Sequence, residues 1–109
     1  ACLLLAQAPR LETLEDLVNT YLRLEAEGML PDSCVNHGFT TSLYYLDPDD
    51  NEVEYQVDNY KTREEMDAWF RTGAFDANFF GARFDPVRMV ELHRSGMPED
   101  EILQKELYL

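Results

Sequence analysis

Positive charge is scarce in this sequence: 9 Lys and Arg stand against 22 Asp and Glu, a net charge of −13. Such a surface repels phosphate backbones and anionic headgroups, so neither nucleic acid nor a membrane surface is expected as a partner. No apolar run reaches the ~18 residues of a spanning helix. The apolar stretch Cys2-Leu3-Leu4-Leu5-Ala6 lacks the basic flank of a signal peptide, so a cytoplasmic location is expected. Two cysteines, Cys2 and Cys34, are too few for a disulfide framework. They read as free thiols, with one disulfide as the other possibility. Cys34-Val35-Asn36-His37 sets a Cys and a His three apart, but two residues do not make a zinc site. Repeats and low-complexity segments are absent.

Hydrophobic residues make up 45% of the 109 residues and aromatics 12%, which suits one small domain with a packed core. Cys2 to Gln7 reads as a buried strand ended by Pro9. Thr13 is an N-cap, with Glu15 and Asp16 in the first turn. Leu14, Leu17, Val18, Tyr21 and Leu22 then form an apolar helical stripe that stops at Gly28. Ser33 to Asn36 is a second strand. Beyond Asp58, Thr62-Arg63-Glu64-Glu65 matches a capping box before Met66, Trp69 and Phe70. Gly73 ends that helix. Phe75, Phe79, Phe80 and Phe84 form an arm broken by Gly81. The arm is expected to be irregular and either to wrap its own module or to embrace a partner; contact with another module is favoured, because so much apolar surface would otherwise stand bare. Asp85-Pro86 starts a helix through Val87, Val90 and Glu91 to Gly96, with His93 and Arg94 near its negative end. Pro98-Glu99-Asp100-Glu101 starts a last short one with Ile102, Leu103 and Leu107.

Between these halves lies a hairpin. Thr40 to Leu46 is rich in β-branched and aromatic residues, Glu52 to Val57 alternates, and Asp47 to Asn51 is dense in turn formers. Pairing Leu46 with Glu52 sets Tyr44 opposite Glu54 and Ser42 opposite Gln56. Val53, Tyr55 and Val57 then face a covering layer. On spacing alone, the Ser42, Tyr44, Glu54, Gln56 face is an ordinary solvated sheet surface. Asp47-x-Asp49-x-Asn51 mimics the start of a calcium loop, but the sixth position is not glycine and the twelfth is not glutamate, so it reads as a turn.

The run S-L-Y-Y-L-D-P-D-D-N-E-V-E, Ser42 to Glu54, resembles the end of a module in the vicinal oxygen chelate superfamily. That group includes glyoxalase I, bleomycin-resistance proteins and extradiol dioxygenases. The resemblance implies an α+β fold: one βαβββ module over residues 1–60, half of a glyoxalase/dioxygenase-type domain. A helical C-terminal extension over residues 61–109 would pack on the module or on a partner. It implies Glu54 as a metal ligand, Tyr44 as an active-site phenol and His37, in His37-Gly38, as the acid/base histidine. The metal would be divalent, Fe(II) first with Mn, Zn or Ni as alternatives, or absent altogether. Asp50 stands where the family usually has glycine, and Ala1 stands where a histidine ligand is expected. His93 is read as a helix-end or solvent contact.

Two functions follow from the resemblance. The first is (part of) a metal-dependent ring-cleaving dioxygenase of catechol or dihydroxybiphenyl-type substrates. The second is a non-catalytic small-molecule-binding module of the bleomycin-resistance type. Either would take a small aromatic or dicarbonyl-type molecule. Either would pair as a homodimer or with a missing N-terminal module.

Overall fold

The computed structural model describes residues 10–77 and 81–104. Along the chain run β1 (Arg10–Leu11), α1 (Leu14–Ala26), β2 (Ser33–Asn36), β3 (Thr40–Leu46) and β4 (Glu52–Asp58). Then come α2 (Arg63–Arg71), α3 (Ala74–Ala77), β5 (Ala82–Arg83), α4 (Pro86–Arg94) and α5 (Glu99–Gln104). The strands form one mixed sheet in the order β1-β4-β3-β2-β5, an α+β fold. β1 runs parallel to β4, and the other pairs are antiparallel.

Helix α1 begins and ends where its side chains dictate. The Thr13 hydroxyl accepts from Asp16 N at 3.1 Å, and the Asp16 carboxylate accepts from Thr13 N at 3.3 Å. Leu14 N and Glu15 N donate to the two carboxylate oxygens of Glu99, each at 3.2 Å. Every free N–H of the first turn therefore has a partner, one pair of them supplied by α5. At the other end Gly28 takes φ 84°, Gly28 N donates to Glu25 O and Met29 N to Leu24 O. This double closure needs a left-handed residue, which glycine adopts without steric cost.

The buried stripe of α1 (Leu14, Leu17, Val18, Tyr21 and Leu24) lies on Leu43, Tyr45 and Val57 of the sheet. Phe84, Met89, Val90, Leu92, Ile102 and Leu103 join the same core. Removing each such side chain from water contributes roughly 1.5–3 kcal/mol, so the residues after position 60 carry a large share of this core's stabilisation.

Several local expectations need correcting. Strand structure is found after Pro9, where Arg10 and Leu11 pair with Gln56 and Val57. Arg10 also forms an ion pair with Asp58. Cys2 to Gln7, Phe79, Phe80 and Leu107 lie outside the described residues. In α4 the inward side chains are Met89, Val90 and Leu92, while Val87 is 51% exposed. The described parts of the aromatic arm are less irregular than expected and pack inward. They contain α3 and β5, Phe84 is buried in the core, and Phe75 packs against Phe39, Trp69 and Phe70. The physical reason is that Ala82 and Arg83 pair with β2, which returns the arm to its own sheet.

Candidate functional site

The hairpin has the register expected of it: Leu46 pairs with Glu52, Tyr44 with Glu54 and Ser42 with Gln56. Its turn is held by the Asp47 carboxylate, which accepts from Asp49 N at 2.9 Å and Asn51 N at 2.8 Å. These bonds hold the Asp47 carboxyl below its ordinary pKa. Asp50 takes φ 64°, the left-handed conformation a glycine would adopt there. A short polar side chain tolerates that conformation, so the turn survives the substitution.

His37 comes from the β2–β3 corner. His37 N donates to Thr40 O at 2.8 Å, and Gly38 takes φ 93°. The corner carries the imidazole over to the face opposite α1, where its Nε2 lies 2.9 Å from the Tyr44 hydroxyl. Across the strand pair from Tyr44, Glu54 accepts from the Ser42 hydroxyl at 2.7 Å. All three side chains are half-buried. The structure thus brings His37, Tyr44 and Glu54 to one place, and it leaves His93 in the last turn of α4.

Burial lowers the pKa of His37, against a smaller upward pull from Glu54. Burial also pushes Tyr44 up to about 12, reinforced by the Glu54 charge. At neutral pH the imidazole is therefore neutral and the phenol keeps its proton. A neutral imidazole bonded to a phenol can accept a proton from a bound hydroxyl or return one, and the phenol can donate to a developing oxyanion.

Sequence reasoning missed two features of the site's surroundings. Phe39, Trp69, Phe70 and Phe75 form a ring cluster with centroids 4.9–6.4 Å apart, and Phe39 is 6.4 Å from the His37 ring. A cavity of about 90 Å³ lies beside the corner, bordered by His37, Gly38, Tyr60, Trp69, Leu103 and Gln104. The second feature is a buried amide pair, Asn36 and Asn59, beneath the corner. The visible signal for Asn36 was its place two residues before Gly38, the spacing of an Asx turn.

Among the described residues no group of three or more His, Cys, Asp or Glu converges. Glu54 is one carboxylate beside a phenol and an imidazole that are bonded to each other. These residues do not by themselves fit a metal centre, and Ala1 lies outside the described residues.

This chain is similar to two aromatic-diol dioxygenases. Biphenyl-2,3-diol 1,2-dioxygenase 3 of Rhodococcus globerulus is 42% identical over 90 residues, which are 83% of this chain and 47% of that protein. Biphenyl-2,3-diol 1,2-dioxygenase 2 of the same organism is 42% identical over 91 residues, 84% of this chain and 48% of that protein. The chain spans about half the length of these curated relatives. No protein-family model matches it, and no solved structure does. No helix of the described residues is long and apolar enough to cross a membrane.

Proposed function

We propose that this chain is part of an extradiol-type dioxygenase of the vicinal oxygen chelate superfamily, acting on a catechol or dihydroxybiphenyl-type substrate. The observation that carries the reading is the contact between His37 Nε2 and the Tyr44 hydroxyl, with Glu54 across the strand pair. The 42% identity to biphenyl-2,3-diol 1,2-dioxygenases supports it. In this reading Glu54 would be one ligand of a divalent metal, Fe(II) first, and the remaining ligands would have to come from outside the described residues. The bound metal would supply the activation of dioxygen. His37 exchanges the proton of a substrate hydroxyl. Tyr44 orients that oxygen, and the half-buried face limits competing water. The polar sheet face is completed by a second module, either from another copy or from another part of a longer protein.

Alanine at position 1, where the resemblance expects a histidine ligand, favours a second reading, in which the polar sheet face binds a small aromatic molecule without converting it. One set of measurements separates the two. Fe(II) or Mn(II) is expected to raise the melting temperature of the wild type and not of Glu54→Ala. Biphenyl-2,3-diol is expected to bind by calorimetry, with oxygen uptake and a ring-opened product in the presence of Fe(II). Equal metal shifts in wild type and Glu54→Ala would remove the metal reading. Binding without oxygen uptake would leave the binding module.

A further inference from the structure

Two buried side-chain amides hold the corner that carries His37. Asn59 is 2% exposed and Asn36 7%. Asn59 Nδ2 donates to Asn36 Oδ1 and to the Gly38 carbonyl, both at 2.9 Å. Asn59 Oδ1 accepts from the Thr41 hydroxyl at 2.6 Å. Asn36 Oδ1 also accepts from Gly38 N at 2.8 Å, and Asn36 Nδ2 donates to the Leu103 carbonyl of α5 at 2.9 Å. The backbone of Asn59 takes part as well. Its N–H donates to Phe39 O at 2.8 Å, and its carbonyl accepts from Gln104 Nε2 at 3.2 Å.

Gly38 is therefore gripped at both its N–H and its C=O. The two peptide planes that flank it are fixed, and so is the backbone from which the His37 ring projects. Trp69 closes the corner from outside: a Cβ on Gly38 would lie 2.1 Å from Trp69 Cζ2. Asn36 pairs with Thr41, and Thr41 with Val57, so the amides sit on the core face of the sheet. Tyr44 and Glu54 lie on the other face. The grip is thus applied from the dry side, while the imidazole works on the opposite side. A buried polar network with its bonds satisfied has one geometry, because breaking any bond in low dielectric is costly.

We propose that Asn59 is a positioning residue for His37. It fixes the His37–Gly38 corner so that Nε2 stays at the Tyr44 hydroxyl, and Asn36 ties the same corner to α5. The catalytic consequence rests on the acid/base role proposed for His37; the positioning does not.

The test is NMR of the isotopically labelled full chain without substrate. The chain has two histidines, so His93 serves as the internal reference. Asn59→Asp keeps an acceptor for Thr41 but removes both donors and turns a carboxylate oxygen toward Asn36 Oδ1 and Gly38 O. The expected result is loss of the His37 ring-nitrogen signature of the Tyr44 bond, with His93 and the α1 amides unchanged. Thr41→Val removes only the third bond and is expected to leave the His37 signature intact. If Asn59→Asp does not fold, Asn59→Ser, which is smaller and uncharged, is expected to show the same loss. Unchanged His37 resonances in a folded Asn59 variant would overturn the proposal. If the wild type cleaves biphenyl-2,3-diol, Asn59→Asp should lower kcat about tenfold or more with KM nearly constant. The NMR result decides the positioning whether or not this chain turns over by itself.

Discussion

Replacing Gly38 by alanine adds one methyl group at a place where the backbone and a ring both resist it. With φ at 93°, an L side chain is strained, at a cost of roughly 1–2 kcal/mol. The new Cβ would meet Trp69 Cζ2 at 2.1 Å, Cη2 at 2.8 Å and Cε2 at 2.9 Å. Carbon atoms rest about 3.5–4.0 Å apart, so the indole must retreat by more than an ångström. Phe39, Phe70 and Phe75 stand around it, with ring centroids 5.8, 4.9 and 6.4 Å away. Overpacking of this kind costs about 1–3 kcal/mol. The total of roughly 2–5 kcal/mol is a large part of the ~5–15 kcal/mol that holds a small domain together. Gly28 provides the control. Its φ is 84°, and a Cβ there meets nothing within 4 Å. Gly28→Ala should therefore lose only the roughly 1–2 kcal/mol of strain. Urea denaturation followed by circular dichroism measures both, and repeating Gly38→Ala in a Trp69→Ala background measures the contact itself. In that background the cost should fall to the Gly28 value. Equal losses at the two glycines, or a coupling energy below about 0.5 kcal/mol, would refute the close approach of Trp69 to Gly38.

Two further perturbations address other parts of the molecule. Because burial lowers the His37 pKa from 6.5, the folded chain binds fewer protons than the unfolded one between the two values. Stability should be full above about 6.5, decline as pH falls toward the folded value and level off below it. Urea midpoints between about pH 8 and pH 5 should show this decline in the wild type and a smaller one in His37→Gln; identical curves would refute it. The Tyr45 hydroxyl is buried with no hydrogen-bond partner among the described residues, and burial raises its pKa. Tyr45→Phe should be neutral or stabilising by about 1 kcal/mol in thermal denaturation, and a clear loss would reveal a partner for the hydroxyl.

The hairpin was legible because two local signals agreed on it. Alternation fixes which side chains share a face, and the turn formers from Asp47 to Asn51 fix which residues pair. Together they set Tyr44 opposite Glu54 without any coordinates. The caps at Thr13, Thr62 and Asp85 were legible for a similar reason, since a cap is a contact within four residues. At Thr62 the detail differed: its hydroxyl accepts from Glu65 N and donates to the Glu65 carboxylate. The amide pair was not legible. Asn59 follows the end of β4 and looks like a turn residue, and only the fold brings it against Asn36, 23 positions away. Strand β5 was hidden because two paired residues are too short for any period to register. Trp69 matched a helical spacing, but its meeting with Phe39 depends on how α2 folds back over the corner.

Glu99 adds a constraint in time. Its carboxylate caps α1 from 85 residues downstream of Leu14 and 84 downstream of Glu15. During synthesis the helix leaves the ribosome long before its cap has been made, and the two amides stay hydrated until then. Helix α5 must therefore dock before the cap of α1 is complete, so these two helices settle together.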